Sequence, residues 1–522
     1  MFKIDTKTMK PDIGYMEATL DKLMQRGVRL SDCNKLRDHY VSLRESLKND
    51  IQQKYGIENP NSSKQVIGYI KDMADTISAN SMESTNDVLN ICYDDNKMKW
   101  TSNAEALEKL DDLGYEFATD LLEYRHIKKY AESLESFTKE MDNENLIHPT
   151  ITLGKTNRIN YSKPGLSTIP KELLHKMIAP YTEGNDLYSV DIKNQEPHIL
   201  ISMTDTVELK HALESDEGLY ETVFKECFKP TAVANVLVDT FPENRVYSIN
   251  ELKQIGTISP ASYSPVRPMT REVYYNNKKV VGIETICLGS EKGLLPNLPD
   301  TVAVETEDGQ IHNVNVIWES AGTKYKRGND YTLEGQLQGI EVRVSKAERK
   351  EFKVAWLAIS YGASAFMIKE TCKLIDGKRV YNYITKISGL KKYRSMVSKR
   401  ASELNNVICT AFGTPLHAGG IDDPKKLKRV LLDLPIQGTG ADILSLLVKR
   451  FYDYTKEKNL EDKLSLYYTV HDELIIEVNG EWLKEVGDNH VKEVLKDMLE
   501  HQINNWVPFK IEIKKLEEKL QG

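Results

Sequence analysis

The segment at residues 464–478, LSLYYTVHDELIIEV, predicts the centre of the fold. Two apolar runs flank the polar pair His471-Asp472, which is typical of two antiparallel strands joined by a tight turn. His471, Asp472 and Glu473 form a polar cluster inside this strongly apolar stretch. Buried polar groups are costly unless they have partners. The cluster is therefore a candidate functional site.

A second strand-like run, LYSVDIKN at residues 187–194, ends near Asp191 in the same way. Asp191 and Asp472 would each lie where a strand of a mixed sheet ends. Two carboxylates brought together can hold a pair of divalent cations about 3.5–4 Å apart, which activate an attacking oxygen and stabilise a leaving one. The alternative for either residue alone is an ordinary turn-forming Asp.

Residues 348–366, ERKEFKVAWLAISYGASAF, predict a helix with a basic and partly apolar face. Arg349, Lys353, Leu357 and Tyr361 are spaced four residues apart, so they share one side of an α-helix. The two cations would bind phosphates, whereas the leucine and the tyrosine would pack on a base. A surface helix with an apolar seam is the plainer alternative.

The stretch at residues 429–450, RVLLDLPIQGTGADILSLLVKR, places a Gly-rich motif, residues 437–440, just before an apolar helix. Gly-rich helix entries bind anions, but they are equally often packing turns. Basic residues crowd the flanking segments, which fits contact with a phosphate backbone as well as a solvated face. These residues are Lys391, Lys392, Arg394, Lys399, Arg400, Lys425, Lys426, Lys428 and Arg429.

Composition excludes several classes of protein. The 522 residues suggest roughly three or four structural units, and 40% hydrophobic with 28% charged residues is ordinary for a globular chain. We expect no membrane span, because no stretch approaches the roughly 20 apolar residues that one needs. The N-terminus also lacks the apolar region of a secretory signal. The formal charge of -8 argues against a general nucleic-acid coat protein but allows a local basic cleft.

The six cysteines are scattered, without a CxxC pair, so a zinc ribbon or disulfide framework is disfavoured. They indicate reduced thiols and a cytoplasmic location. Along the chain, the first 144 residues are predicted to be helical. Residues 231–339 instead contain short β-prone runs separated by turn signals such as Asp308-Gly309, which predicts a small all-β unit within helical surroundings.

Taken in this order, the motifs resemble those of the family A DNA polymerases, of which bacterial DNA polymerase I is the best known. The resemblance runs from about residue 13 to the C-terminus, apart from the β-rich part. It implies an α+β, right-hand polymerase fold of palm, fingers and thumb with an antiparallel palm sheet. A small all-β insert in the fingers, at about residues 278–343, resembles a bacterial Ig-like domain.

The resemblance also implies domain limits. Residues 1–144 would form an N-terminal helical region that includes the thumb. Residues 145–215 and 426–522 would form the two parts of the palm, and residues 216–425 the interrupted fingers. Because the chain begins where the thumb of the family begins, we expect no proofreading exonuclease domain of its own.

Site residues follow from the matching motifs. Asp191 and Asp472 are implied as ligands of two Mg²⁺ ions, with Mn²⁺ as an alternative, and Glu473 and Lys353 as further catalytic residues. The residues implied to bind the incoming dNTP are Arg349, Lys353, Leu357, Tyr361, Glu196, Gln195 and Tyr220. The residues implied to contact primer–template DNA are Arg158, Arg429, Asp433, Gln437 and His471.

Four positions depart from the family pattern. His198 replaces a usual Arg, Leu357 replaces Phe or Tyr, Asp433 replaces Asn, and Thr414-Pro415 replaces a basic pair. The change at Leu357 puts sugar discrimination in question.

The implied reaction is template-directed transfer of a nucleotide from a dNTP to a primer 3′-hydroxyl. One alternative is a single-subunit RNA polymerase, which usually has a small residue in place of Glu196 and Ser in place of Glu473. The other is a catalytically silent nucleic-acid-binding protein of the same fold. The implied partners are primer–template DNA and dNTPs, with other replication proteins or a separate exonuclease as further candidates, and no membrane. A polymerase without nuclease domains suggests a phage or mobile element, and hence the cytoplasm of a bacterial host.

Overall fold

The computed structural model describes residues 10–78, 91–94, 99–167, 169–204, 206–215, 217–238, 246–247, 266–268, 272–290, 298–318, 331–372, 374–503, 509 and 511–516. The chain divides into two structural units. The first contains Met1–Ile199, Glu403–Gly420 and Asp433–Gly522, and the second contains Leu200–Ser402 and Ile421–Leu432. Helices and sheets occur in both, which confirms the predicted α+β class.

The N-terminal part of the first unit is helical, as predicted. Its helices are α1 (Ile13–Arg26), α2 (Cys33–Tyr55), α3 (Ser63–Ser78), α4 (Ala104–Asp112) and α5 (Glu116–Glu140). Asp12 caps α1 by accepting a hydrogen bond from the Tyr15 backbone N–H at 2.9 Å. The helices bury apolar residues such as Ile70, Leu107 and Leu121 in one cluster. Burial of these side chains is the main force that holds the helices together.

A four-stranded antiparallel sheet, the central sheet, forms the core of the first unit. Its strands are β7 (Asp186–Ile192), β19 (Leu464–Val470), β20 (Glu473–Val478) and β21 (Ile511–Lys515). The order is β19-β20-β7-β21. The two strands predicted around residues 471–472 are present, and the predicted antiparallel sheet is confirmed. Every residue of β20 is buried, including the glutamates Glu473 and Glu477 that stand among its apolar residues.

Short elements complete the first unit. They are β1 (Val28–Arg29), β2 (Tyr93–Asp94), β3 (Lys99–Trp100), β4 (Leu146–Ile147), β5 (Thr150–Leu153), β6 (Ile159–Ser162), α6 (Lys171–Met177), β17 (Val407–Cys409), β18 (Pro415–His417), α15 (Gly480–Val486) and α16 (Asp488–Ile503). Helix α6 packs Leu173, Leu174 and Met177 into the same cluster as Tyr467 and Ile475 of the central sheet. This contact fixes where the first residue of α6 lies.

The longest helix, α14 (Pro424–Glu457), corrects one sequence prediction. The motif at residues 437–440 lies inside this helix rather than before it, so no helix N-terminus is present there to bind an anion. Its glycines instead allow close packing. A Cβ atom on Gly438 would lie 2.3 Å from Leu416 Cδ1, and one on Gly440 would lie 2.6 Å from Gln195 Oε1.

Helix α14 also corrects the expectation that no stretch is long and apolar enough to cross a membrane. The length and apolar composition of α14 would be enough to cross a membrane, but 78% of its most apolar stretch is buried inside the protein. Burial of this kind is typical of a core helix.

In the second unit, helices precede and follow an all-β part along the chain. The helices are α7 (Gln195–Thr204, whose first residues belong to the first unit), α8 (Val207–Glu214), α9 (Leu219–Phe228), α10 (Lys346–Ser360), α11 (Ala365–Thr371), α12 (Gly377–Ile387) and α13 (Leu390–Glu403). The strands are β8 (Thr231–Val238), β9 (Val246–Tyr247), β10 (Val266–Pro268), β11 (Val273–Tyr275), β12 (Lys278–Ser290), β13 (Thr301–Thr306), β14 (Ile311–Trp318), β15 (Tyr331–Leu337) and β16 (Ile340–Val342).

These nine described strands form one sheet system. The long strand β12 pairs with β13 in its first half and, in parallel, with β8 in its second half. The predicted turn at Asp308-Gly309 joins β13 to β14, and Gly309 has φ 73°. The sheet begins at Thr231, before the residue 278 that we predicted as the start of the insert. Two further turn signals of the sequence, Gly322 and Gly328-Asn329, lie outside the described residues.

One glycine tests this packing directly. A Cβ atom on Gly480, the first residue of α15, would lie 1.7 Å from the Gly184 carbonyl oxygen. We expect Gly480→Ala to lower the free energy of unfolding by about 1–3 kcal/mol, because the backbone at Gly480 or at Gly184 must move to make room for the methyl group. Urea denaturation followed by circular dichroism measures the change.

Gly68→Ala is the matched control. Gly68 lies within α3 and has open space around its Cα, so alanine should stabilise the protein by about 0.5–1 kcal/mol. Equal stability of Gly480→Ala and the wild type would contradict the packing described for α15.

Candidate active site

Strand register brings Asp191 and Asp472 side by side. Asp191 in β7 pairs directly with Glu473, the first residue of β20. The Ile192 N–H donates to the Asp472 carbonyl oxygen at 3.4 Å. Asp472 and His471 form the two-residue turn before β20, and His471 has φ 57°, which suits the first position of such a turn. The side chains of Asp191 and Asp472 are called the carboxylate pair below.

The electrostatics of the carboxylate pair favour a cation. Burial raises the pKa of Asp472, and the negative charge of Asp191 raises it further. The positive charges of Lys171 and His471 act in the opposite direction. A cation bound beside two such carboxylates favours their charged forms, because it offsets the repulsion between them.

Glu473 has a different environment from the carboxylate pair. It is only 3% exposed, and the Ser189 hydroxyl donates a hydrogen bond to it. His175 Nε2 lies 3.1 Å from its Oε1. Although burial raises the pKa of Glu473, the hydrogen bond and charge of His175, with help from Ser189 and Lys171, bring it below its ordinary value. Glu473 is therefore an ionised carboxylate whose partners come from the protein itself.

Two residues of the site that were not predicted from the sequence, Lys171 and His175, both lie on α6. Lys171 Nζ is 3.1 Å from Asp191 Oδ2 and 3.2 Å from Glu473 Oε1. The four-residue spacing of Lys171 and His175 places both side chains on one face of the helix, beside its buried apolar residues. That spacing was a signal in the sequence, but nothing in it showed which strands the face would meet.

A cavity of about 360 Å³, the Arg158 pocket, collects several predicted DNA-binding residues. Arg158 Nη2 lies 2.7 Å from Glu196 Oε1. Gln195 Nε2 is buried without a hydrogen-bond partner among the described residues. The pocket is lined by Gly154, Thr156, Arg158, Ile159, Asn160, Ser167, Gln195, Gln437, Gly440, Ala441, Leu444, Thr469 and His471. The structure thus brings together Arg158, Gln437, His471 and Gln195.

Asp433 adds a second carboxyl group near Arg158. Burial, followed by the negative charge of Glu196, raises the pKa of Asp433 to about 6, although Arg158 and Gln437 oppose the shift. Its Oδ1 atom has no hydrogen-bond partner within the described part of the chain. Asp433 therefore changes its charge near neutral pH. Arg429, one turn earlier on α14, is exposed and belongs to the second unit.

Two departures from the family pattern have local partners. The Thr414 hydroxyl donates to Asp442 Oδ1 at 2.9 Å, and this aspartate also accepts a hydrogen bond from Thr410. His198 is buried, with Nδ1 2.8 Å from the Asn194 carbonyl oxygen, and its ring stacks on Phe509. Both replacements therefore fit structural roles within the first unit.

In the second unit, α10 presents the predicted basic face. Arg349 and Lys353 are exposed, and Leu357 is half-buried, whereas Phe352 and Trp356 on the adjoining face are buried. The helix begins with a capping box formed by Ser345 and Glu348. Tyr361 lies directly after the last helical residue.

Tyr220 lies beside this helix. It is buried on α9 in an edge-to-face contact with Trp356. Lys353 Nζ lies 5.6 Å from the centre of the Tyr220 ring, within the range of a cation–π interaction. This contact orients the ammonium group of Lys353. Among the predicted dNTP-binding residues, Gln195 and Glu196 lie in the first unit, whereas the others lie in the second.

The donor set at the carboxylate pair suits a magnesium ion. Within the described ranges, no group of three or more His, Cys, Asp or Glu side chains is arranged as a metal cage. Magnesium is usually bound by one or two carboxylates, with water and substrate phosphates completing its coordination. Asp191 and Asp472 match this mode because Glu473 is already held by protein groups.

Comparison with known proteins agrees with this arrangement. The family model described as "DNA polymerase family A" matches residues 31–237 and 331–518. The model "Bacterial Ig-like domain (group 4)" matches residues 279–340. DNA polymerase I of Caldicellulosiruptor bescii is 28% identical over 185 residues, covering 34% of this chain and 21% of that protein. DNA polymerase I of Aquifex aeolicus is 25% identical over 262 residues, covering 48% and 42%, respectively.

A solved structure shows the same fold. It is the POL domain of Pol1 from M. smegmatis in complex with DNA primer-template and dNTP, with a TM-score of 0.58 and 15% identity. The alignment covers 96% of this chain and 68% of that chain. The predicted right-hand polymerase fold is confirmed by this likeness. The chain spans less than half the length of these two curated relatives. Since the family match covers more than half of the sequence, the chain belongs to DNA polymerase family A.

Proposed function

We propose that this protein is a DNA-directed DNA polymerase that adds dNTPs to a primer 3′-hydroxyl. The observation that carries the proposal is the strand register that holds Asp191 and Asp472 together. The curated relatives are named DNA polymerase I, and the structural relative was solved with DNA primer-template and dNTP. These names support primer–template DNA and dNTPs as the substrates.

Asp191 and Asp472 are the residues that would hold divalent cations, Mg²⁺ or Mn²⁺. When bound, such ions supply Lewis-acid activation of an attacking oxygen and stabilise developing negative charge. The protein's own part is to keep two repelling carboxylates in place. The backbone pairing of β7 with β20 does this without depending on either side chain.

The Arg158 pocket is proposed to hold the primer end. Arg158 and Gln437 offer hydrogen-bond donors, and the unpartnered Gln195 Nε2 is available to a ligand. The ion pair with Arg158 also fixes Glu196, which we propose crowds the 2′ position of the incoming sugar. Preorganised donors of this kind lower the cost of ordering a substrate.

On α10, Arg349 and Lys353 are proposed to bind the triphosphate. Both are exposed, and Lys353 is oriented by the Tyr220 ring. The guanidinium group binds phosphate oxygens in a fork, and the ammonium group acts as a point charge. The predicted domain limits, the phage origin, the cytoplasmic location and any further replication partners stay predictions.

Removing one carboxylate tests the reaction. We expect Asp472→Asn to slow primer extension with dNTPs and Mg²⁺ by about 1,000-fold or more, since losing a metal ligand forfeits several kcal/mol of transition-state stabilisation. A gel-based extension assay under single-turnover conditions measures the rate.

Asp453→Asn is the matched control, because Asp453 is exposed on α14. It should extend primers at the wild-type rate. The proposed function would be excluded if Asp472→Asn extended primers at the wild-type rate. It would also be excluded if the wild type extended primers with rNTPs but not with dNTPs.

Asp433 predicts a pH dependence of DNA binding. Because its pKa is raised to about 6, the residue is largely neutral at pH 5 and negatively charged at pH 7.5. The new charge would repel phosphates near the Arg158 pocket, so wild-type affinity for primer–template DNA should fall as the pH rises. Between pH 5 and pH 7.5, the affinity of the wild type for DNA should fall by a factor about fivefold larger than that of Asp433→Asn, which cannot ionise at this position.

Fluorescence anisotropy at constant ionic strength measures this difference. Circular dichroism at both pH values checks that each protein stays folded. Parallel pH profiles for the wild type and Asp433→Asn would show that Asp433 does not face the DNA.

A further inference from the structure

We propose that Lys171 is a resident counter-ion of the active site, a positioning residue that stabilises Asp191 and Glu473 in the absence of metal and competes with divalent cations for Asp191. The inference rests on the proposed function, because it concerns the metal site of that reaction. Neither the resemblance nor the family motifs assigned any role to this residue.

The geometry places one ammonium group between two carboxylates on neighbouring strands. Lys171 Nζ lies 3.1 Å from Asp191 Oδ2 and 3.2 Å from Glu473 Oε1. Asp191 and Glu473 are directly paired across β7 and β20. A single positive charge therefore offsets repulsion between two residues that the sheet forces together.

This contact differs from an ordinary surface salt bridge. Glu473 is 3% exposed, so little solvent screens it, whereas the Asp191 side chain is 28% exposed. Exposed ion pairs contribute little, whereas removal of one partner from a buried pair leaves an uncompensated charge. His175 and Ser189 still hold Glu473 when Lys171 is absent. Asp191 has the greater need for a replacement cation.

Lys171 is also able to leave. Its side chain is 45% exposed, and it is attached at the first residue of α6 by a flexible four-carbon stem. The carboxylates lack this freedom because the sheet fixes their backbones. A divalent cation that binds Asp191 must displace the ammonium group from Oδ2. The displacement weakens metal affinity compared with a site that has no lysine.

The test measures metal binding without requiring turnover. Lys171→Gln should bind Mn²⁺ about tenfold more tightly than the wild type, because a nearby positive charge has been removed. Electron paramagnetic resonance of free Mn²⁺, with the full chain and no DNA, gives the dissociation constant. In metal-free buffer, Lys171→Gln should melt at a lower temperature than the wild type and gain more from added Mn²⁺.

Lys176→Gln is the matched control. It makes the same change in charge on the same helix, but Lys176 is exposed and forms no ion pair with either carboxylate in the described structure. Its Mn²⁺ affinity should equal that of the wild type. A tenfold gain in both variants would show a general charge effect and overturn the inference.

The remaining outcomes separate this inference from the proposed function. If Asp472→Asn binds Mn²⁺ as tightly as the wild-type protein does, the proposed metal site itself fails. If Asp472→Asn abolishes binding but Lys171→Gln binds Mn²⁺ no more tightly than the wild type, the role of Lys171 fails and the metal site stands. Lys171→Arg guards against misfolding of the glutamine variant, because it keeps the charge. It should bind Mn²⁺ no more tightly than the wild type, and tighter binding would contradict the competition.

Discussion

The pairing of β7 with β20 is the constraint on which the rest of the site depends. Backbone hydrogen bonds set Asp191 opposite Glu473 and next to Asp472, although three negative charges at one place oppose this arrangement. The energy comes from the buried apolar residues of the two strands, which cannot shift by one position without turning their side chains to the other face. Apolar burial thus maintains a charged site that would otherwise separate.

The surrounding groups then divide the three carboxylates by role. Glu473 receives its partners from Ser189, His175 and Lys171, so it acts as a fixed part of the scaffold. Asp472 has a raised pKa because burial and the charge of Asp191 disfavour its ionised form, so a cation bound to the carboxylate pair would stabilise that form. Lys171 contacts both the fixed Glu473 and Asp191 of the carboxylate pair, so it is the residue whose position should respond to metal.

Local patterns in the sequence were sufficient for much of this site. The hairpin around His471 and the helix that carries Arg349 follow from apolar runs and residue spacing, since each depends on near neighbours in the chain. Lys171 was missed because its partners lie on strands that are close only after folding. The motif at residues 437–440 was misplaced because its glycines are typical of a boundary, whereas Gly438 and Gly440 lie inside α14, where they allow close packing.

The central claim is that the carboxylate pair is a site for divalent cations. Anomalous X-ray diffraction from crystals of the full chain soaked in Mn²⁺ tests it most directly, because the signal locates the metal independently of any assay. We predict an anomalous peak within coordination distance of the side chains of both Asp191 and Asp472. Manganese bound elsewhere in the protein, with none at these two residues, would contradict the account.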